Sequence, residues 1–128
     1  MSIQSYFAHT KAVLDRYSNT AFVLETKVHY DSRPSEQGFL HGSILFADGS
    51  TLFFKEYLDG PNEEVQKIMY SYHYQDAAQE LIFRYDNARH QPALSFLEHK
   101  HVASQIIAAP APELATILSE IFILTKWI

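Results

Sequence analysis

The dipeptide Asp48-Gly49, set between the apolar runs 39–46 and 51–58, constrains this chain more than any other feature. Two alternating segments joined by such a pair read as a β-hairpin, because Asp-Gly accepts the left-handed backbone of a type I′ turn. A two-residue loop sets Ala47 opposite Ser50 and, counting back, His41 opposite Glu56. A slip of one residue would turn every side chain to the other face.

The hydrophobic pattern on either side extends this nucleus. Ile3, Tyr6, Phe7, Val13, Leu14 and Tyr17 fall on one helical stripe, with Ser2 available as the cap. From residue 21 to 30 the period drops to two, Phe22, Leu24, Thr26, Val28 and Tyr30 alternating with polar neighbours, the pattern of a strand with one buried face. Residues 31–38 are a polar loop. The strand 51–58 stops at Asp59-Gly60-Pro61-Asn62, and 65–74 and 81–85 form a second hairpin across the polar loop 75–80. Residues 86–107 show little periodicity and read as mainly irregular chain. A last helix is expected over 112–124, with Pro112 at its first position, a stripe of Leu114, Ile117, Leu118, Ile121 and Leu124, and Lys126 near its C-terminal end. The predicted order is α-β-β-β-β-β-α: an α+β domain whose antiparallel five-stranded sheet is flanked by an N-terminal and a C-terminal helix on one face.

Composition narrows the class. A chain of 128 residues with 47% hydrophobic and 20% charged side chains suits a single globular domain. The absence of cysteine removes disulfides, thiol nucleophiles and thiolate metal sites and fits the cytoplasm. The longest apolar stretch, 121–124, is too short to span a bilayer, so no membrane association is expected. A net charge of −5 argues against a dedicated DNA-binding domain, while leaving room for a local cationic patch.

Chemistry-bearing residues collect between Tyr70 and His101. His73 alternates with Tyr72 and Tyr74 and shares a face with Ser71 and, across the hairpin, with Arg84. An imidazole beside a guanidinium has its charged form disfavoured and stays available as a base. Arg84, Tyr85, Asp86, Asn87 and His90 run from a strand end into a loop, where a scaffold can aim side chains outward. The bland alternative is an Arg84–Asp86 ion pair with Asn87 closing a turn. His99-Lys100-His101 is a His-x-His element that, on extended chain, turns both imidazoles to one side and could supply two metal ligands, with His90 or Asp86 as a third. A metal-free site, with His as acid and base and Arg84 or Lys100 holding phosphate, is preferred. Glu56 could orient His41 across the first hairpin, or serve only as an edge charge. No phosphate loop, nucleophile elbow or metalloprotease helix occurs, and no cofactor is expected.

The blocks Tyr70-Ser71-Tyr72-His73-Tyr74-Gln75-Asp76, Phe83-Arg84-Tyr85-Asp86-Asn87-Ala88, His90 and His99-Lys100-His101, in that order, resemble the TumE-like toxins of type II toxin–antitoxin modules. Arg89 and the step Leu97-Glu98 stand where that family has proline. The resemblance covers nearly the whole chain and implies a growth inhibitor encoded beside a small antitoxin that neutralises it. By analogy with other small α+β toxins it admits metal-independent cleavage of RNA. In that reading Arg84 holds phosphate, His73 and His90 exchange protons, and Tyr85 positions or stacks a base, with Tyr72, Asp86, Asn87, Lys100 and Glu56 in support. The alternatives are a non-catalytic protein-binding module and a divalent-metal site at His99 and His101. An edge strand or the C-terminal helix would be the place for a homodimer contact, though no particular residue points to one.

Overall fold

The computed structural model describes residues 1–88 and 97–128. Helix α1 (Ile3–Ser18) is followed by β1 (Val23–Arg33), β2 (Gln37–Phe46), β3 (Thr51–Asp59), a 3₁₀ turn (Pro61–Glu63), β4 (Gln66–Gln75), β5 (Leu81–Asp86), β6 (His99–Val102), β7 (Gln105–Ala108) and helix α2 (Leu114–Leu124). All strands pair antiparallel with their sequence neighbours, giving one sheet in the order β1 to β7. Among the described residues the sheet therefore has seven strands where five were expected. The two additional strands are four residues each, too short for alternation to stand out, and β7 is exposed throughout. No helix among the described residues is long and apolar enough to cross a membrane.

Both helices lie on one face. Leu40, Ile44 and Phe46 of β2, Leu52, Phe54 and Leu58 of β3, Tyr72 and Tyr74 of β4 and Phe83 of β5 are buried against Val13 and Leu14 of α1 and Ile117, Leu118 and Ile121 of α2. Burial of each such side chain contributes roughly 1.5–3 kcal/mol. Ser2 caps α1, its hydroxyl accepting the Ser5 N–H at 3.0 Å. At the other end of the chain, Pro112 and Glu113 precede α2 rather than opening it: Glu113 is the cap residue, in extended conformation. Lys126 sits beyond the helix at φ 62°, where its N–H reaches Ile123 O and that of Trp127 reaches Phe122 O, while Trp127 packs edge-on against Phe122. This is a Schellman close with its hydrophobic contact.

The first hairpin departs from its expected register by one residue. Leu45 pairs with Thr51 and His41 with Lys55, so the connection is the three-residue loop Ala47-Asp48-Gly49. Gly49 N–H donates to Phe46 O at 3.0 Å, and Gly49 takes φ 85°, which makes a tight turn followed by a left-handed residue. Phe46 and Ser50 then face each other, and Asp48 accepts the Ser50 N–H at 3.0 Å. As a consequence Glu56 lies opposite Leu40 on the helix-covered face, and His41 lies on the other. The anticipated His41–Glu56 pairing does not exist.

A bulge re-phases β4. Tyr57 pairs with Met69 but Leu58 with Lys67, leaving Ile68 as the extra residue. Lys67, which strict alternation would send outward, thereby joins Tyr70 and Tyr72 on the inner face. The Asn87 side chain continues the ladder beside the bulge, accepting the Tyr70 N–H at 3.2 Å and donating to Ile68 O at 3.1 Å.

Candidate functional site on the helix-free face

Antiparallel register decides which side chains meet on the face opposite α1 and α2. One cross-strand row is His29, His41, Lys55, Ser71, Asp86 and His99, and the next is Ser43, Phe53, His73, Arg84 and His101. Arg84 thus has an imidazole one strand away on each side, His73 on β4 and His101 on β6.

Asp86 organises the cluster. Its Oδ2 accepts from Arg84 Nε at 2.7 Å and lies 3.6 Å from His101 Nε2, while its Oδ1 accepts the Ala88 N–H at 3.1 Å and stands 2.5 Å from His99 Nε2. Burial by itself would raise the Asp86 pKa; the hydrogen bonds from Arg84 and the Ala88 N–H, with the nearby His99, outweigh it and hold the carboxyl below its ordinary value. His99 is fully buried, and its Nδ1–H donates to Leu97 O at 2.6 Å.

Arg84 Nη1 donates to His73 Nδ1 at 3.3 Å, which places the ring proton on Nε2, facing Gln75 Oε1 at 3.2 Å. Burial first, and the Arg84 charge second, lower the His73 pKa, so its imidazole is the neutral form near pH 7. Beside this pair opens a shallow groove of about 640 Å³, lined by Phe39, His41, Phe53, Lys55, His73 and Arg84 among others.

Four of the anticipated site residues lie elsewhere. Tyr85 faces the helices, donating its hydroxyl proton to Glu120 Oε1 at 2.6 Å, and Lys100 faces the same way, paired with Glu120 Oε2 at 2.7 Å. Neither reaches the Arg84 groove, because each is one residue out of phase with Arg84 or His101 on its strand. Glu56 and Tyr72 belong to a third, enclosed cluster: Glu56 is buried, accepting from Tyr6 at 2.6 Å and from Tyr72, with Lys67 at 3.5 Å. Lys67 also donates to Tyr72 and, at 2.6 Å, to Pro112 O. Burial, more than the counter-charge of Glu56, governs the lowered Lys67 pKa. A cavity of about 340 Å³ adjoins this cluster beneath α1. Asn87 is engaged with the β4 backbone, and His90 lies outside the described residues.

Sequence reasoning did not single out Phe39, Phe53, Lys55 or Gln75. Strand alternation was the available signal, since 39, 41, 53, 55, 71 and 73 share one face once the three-residue loop is recognised.

These features define a small α+β protein with two helices on one side of an antiparallel meander and a His, Arg and Asp cluster on the other. The family model for Toxin TumE matches residues 10–128, and the chain belongs to that family. No curated protein and no solved structure was found to match the chain.

Proposed function

We propose that this member of a toxin family inhibits growth by cleaving RNA at the Arg84 groove, with side chains alone as catalysts. The observation that carries the reading is Arg84 itself: anchored through Nε by Asp86, with Nη1 at the groove and an imidazole on each neighbouring strand. Cross-strand spacing puts the Cα atoms of His73 and His101 roughly 10 Å apart, wide enough to straddle a phosphodiester held by the guanidinium. A phosphate that takes up Arg84 Nη1 releases the lone pair of His73 Nδ1. His73 then removes the proton from the ribose 2′-hydroxyl as its oxygen attacks phosphorus. Arg84 stabilises the charge on the non-bridging oxygens, and the P–O5′ bond breaks with a proton delivered from His101. The products are a 2′,3′-cyclic phosphate and a 5′-hydroxyl. His90, expected from the sequence to share the proton transfers, remains a candidate for the acid. A small antitoxin encoded nearby would neutralise the chain by covering this face.

The purified protein should cleave a short RNA to cyclic-phosphate ends, and a 2′-deoxy nucleotide at the scissile position should block the cut. Arg84→Ala and His73→Ala should each reduce cleavage and toxicity by about 10²- to 10⁴-fold. Toxicity that persists undiminished in the double variant sinks the proposal; toxicity without any RNA cleavage favours a non-catalytic binding module.

A second reading has a specific observation behind it. One ligand atom from each of Asp86, His99 and His101 lies within 4.8 Å of the others, and the Leu97 carbonyl fixes the Nδ1 proton of His99 so that Nε2 points at Asp86. Metal-bound histidines are oriented in this way, and Arg84 would serve as the outer partner of the ligating carboxylate. The two readings exclude each other at His101, which cannot both donate a proton and ligate a cation. Protein purified without a His tag and stripped by chelator should take up one Zn²⁺ per chain in calorimetry if this reading holds, and His101→Ala should abolish the uptake. No uptake removes it.

A further inference from the structure

Aromatic rings line up on the helix-free face. Phe39 and Tyr57 stack with centroids 4.3 Å apart, Phe39 and His41 follow at 5.1 Å, and His29 continues the series at 5.3 Å from His41. The Arg33 guanidinium lies 5.3 Å from the Phe39 ring and 5.8 Å from that of Tyr57. On the next row Phe53, 46% exposed, stands 6.4 Å from His73. Phe53 is exposed and Phe39 and Tyr57 are half-buried, and an exposed ring loses apolar burial that a core position would supply, so a ligand with flat apolar faces is the natural complement.

The charge of the groove is equally specific. The chain carries 15 Asp and Glu against 10 Lys and Arg, yet no carboxylate lines the groove among the described residues, whose ionisable groups are His41, Lys55, His73 and Arg84. Lys55 forms no ion pair among the described residues and sits on β3 between Phe53 and Tyr57. Asp31, beside Phe39, is paired with Arg33, and Asp86 lies behind Arg84, so the groove itself presents Lys55 and the Arg84 guanidinium without a facing carboxylate. That local charge suits a polyanion, and the rings suit one whose bases are unstacked from each other.

We propose that the Tyr57–Phe39–Phe53 surface is a binding track for single-stranded RNA, one unpaired base stacking on the exposed Phe53 ring and another packing against the edge of the Tyr57–Phe39–His41 stack, while Lys55 and Arg84 hold the intervening phosphates. This rests on the proposed RNA-directed function and adds its substrate class. A duplex hides its base faces and offers only backbone and groove edges, so it can use the cations but not the rings. The track runs from Phe39 and Tyr57 toward Arg84, and bases docked on it deliver the following phosphodiester to the His73–Arg84 pair. Selection of unpaired segments is then a property of binding, set before any chemistry.

The experiment uses the full chain and a fluorescent eight-nucleotide 2′-O-methyl RNA, which has no 2′-hydroxyl to react, measured by anisotropy alone and annealed to its complement. The single strand should bind at least tenfold more tightly than the duplex. Phe39→Ala and Phe53→Ala should each weaken single-strand binding about tenfold and leave duplex binding unchanged, and Phe53→Trp should restore it. Lys55→Ala should lower both affinities and reduce the salt slope by about one. Phe53 is exposed and Phe39 half-buried, so each variant is compared with the parent by circular dichroism and urea unfolding, and Phe53→Ala carries the test if Phe39→Ala is destabilised. Equal affinity for single strand and duplex, no binding to either, or indifference to both ring truncations overturns the track. Cleavage that fails while discrimination persists overturns the catalytic reading alone.

Discussion

The two faces of the sheet hold the same kinds of side chain in opposite states. Under the helices, Glu56, Tyr6, Tyr72 and Lys67 form a closed set: the carboxylate is buried, both of its oxygens have donors, and Lys67 spends its remaining proton on Pro112 O. On the open face, Asp86 is as well satisfied, but the groups it holds are not enclosed: Arg84 keeps about a third of its side chain exposed and shares the groove with a neutral His73. The contrast teaches that burial and pairing alone are enough to perturb ionisation. Burial raises the Tyr6 and Tyr72 hydroxyls far above the ordinary phenol range, yet these groups fasten α1 and the segment before α2 to the sheet. On the open face the His73–Arg84 bond lies beside the groove, where a ligand can compete for it.

The largest effect that would break this comparison is at Glu56. Glu56→Ala leaves Lys67 as a buried charge without its counter-ion, and removal of one partner from such a pair costs about 3–5 kcal/mol. Urea unfolding should reveal that loss, and toxicity should fall only as far as the folded population does. A Glu56→Ala protein of parental stability that had lost cleavage would make the enclosed cluster catalytic and reverse the assignment of the two faces.

His73→Ala should show the converse. The ring is partly exposed and its bonds are to Arg84 and Gln75, so stability should change by no more than about 1 kcal/mol while cleavage falls by two or more orders of magnitude. Parallel unfolding and cleavage assays on the two variants therefore give opposite patterns. A matched loss of stability and activity in both would erase the distinction.

Acidification sharpens the difference further. Because the folded-state pKa of His73 is lowered, the unfolded chain takes up a proton first as pH falls, and stability drops between the ordinary imidazole value and the folded one. The depressed Asp86 carboxyl acts in the same direction further down: its contribution is complete above the unfolded carboxyl pKa and is lost as pH falls through the folded value. In a ¹H–¹³C NMR titration His73 should have a midpoint below that of a free imidazole, and Arg84→Gln should move the midpoint upward by removing the neighbouring charge. An unmoved midpoint would mean that burial alone sets the shift.

The fold was legible where period and punctuation agreed. Ser2 and the 3–17 stripe marked α1, and the strands from β2 to β5 were bounded by Gly49, by Gly60-Pro61 and by the polar loop after Gln75. Legibility failed at three kinds of place. Register inside the Asp48-Gly49 turn depends on whether Ala47 is in the loop, a choice made by burying Leu40 and Ile44 rather than by turn chemistry. β6 and β7 owe their pairing to β5, a tertiary partner that no four-residue pattern announces. The bulge at Ile68 inverts the face of Lys67, and a single inserted residue leaves no mark in composition. The site shared this division: the neighbouring placement of His73 and Arg84 followed from alternation, whereas Tyr85 and Lys100, expected to position a base and to hold phosphate, lie one residue out of phase and face the helices.

Tyr85 offers the finest test of that division, and the smallest effect. Its hydroxyl donates to Glu120 Oε1, Lys100 binds the other oxygen of the same carboxylate, and Lys100 Nζ lies 4.8 Å from the Tyr85 ring, so the three groups join β5 and β6 to α2. Tyr85→Phe removes one hydrogen bond while keeping the ring and the Lys100–Glu120 pair, which together retain most of the packing. The expected cost is about 1 kcal/mol of stability, with cleavage and single-strand binding unchanged, since the hydroxyl is on the opposite side of the sheet from Arg84. A tyrosine that stacked or positioned a base would behave differently: the phenylalanine variant would keep stacking but lose orientation, and KM or the cleavage position would shift at constant stability. Measured together, unfolding and cleavage by Tyr85→Phe decide whether adjacency in sequence or position on a face determines which side chains of this strand do chemistry.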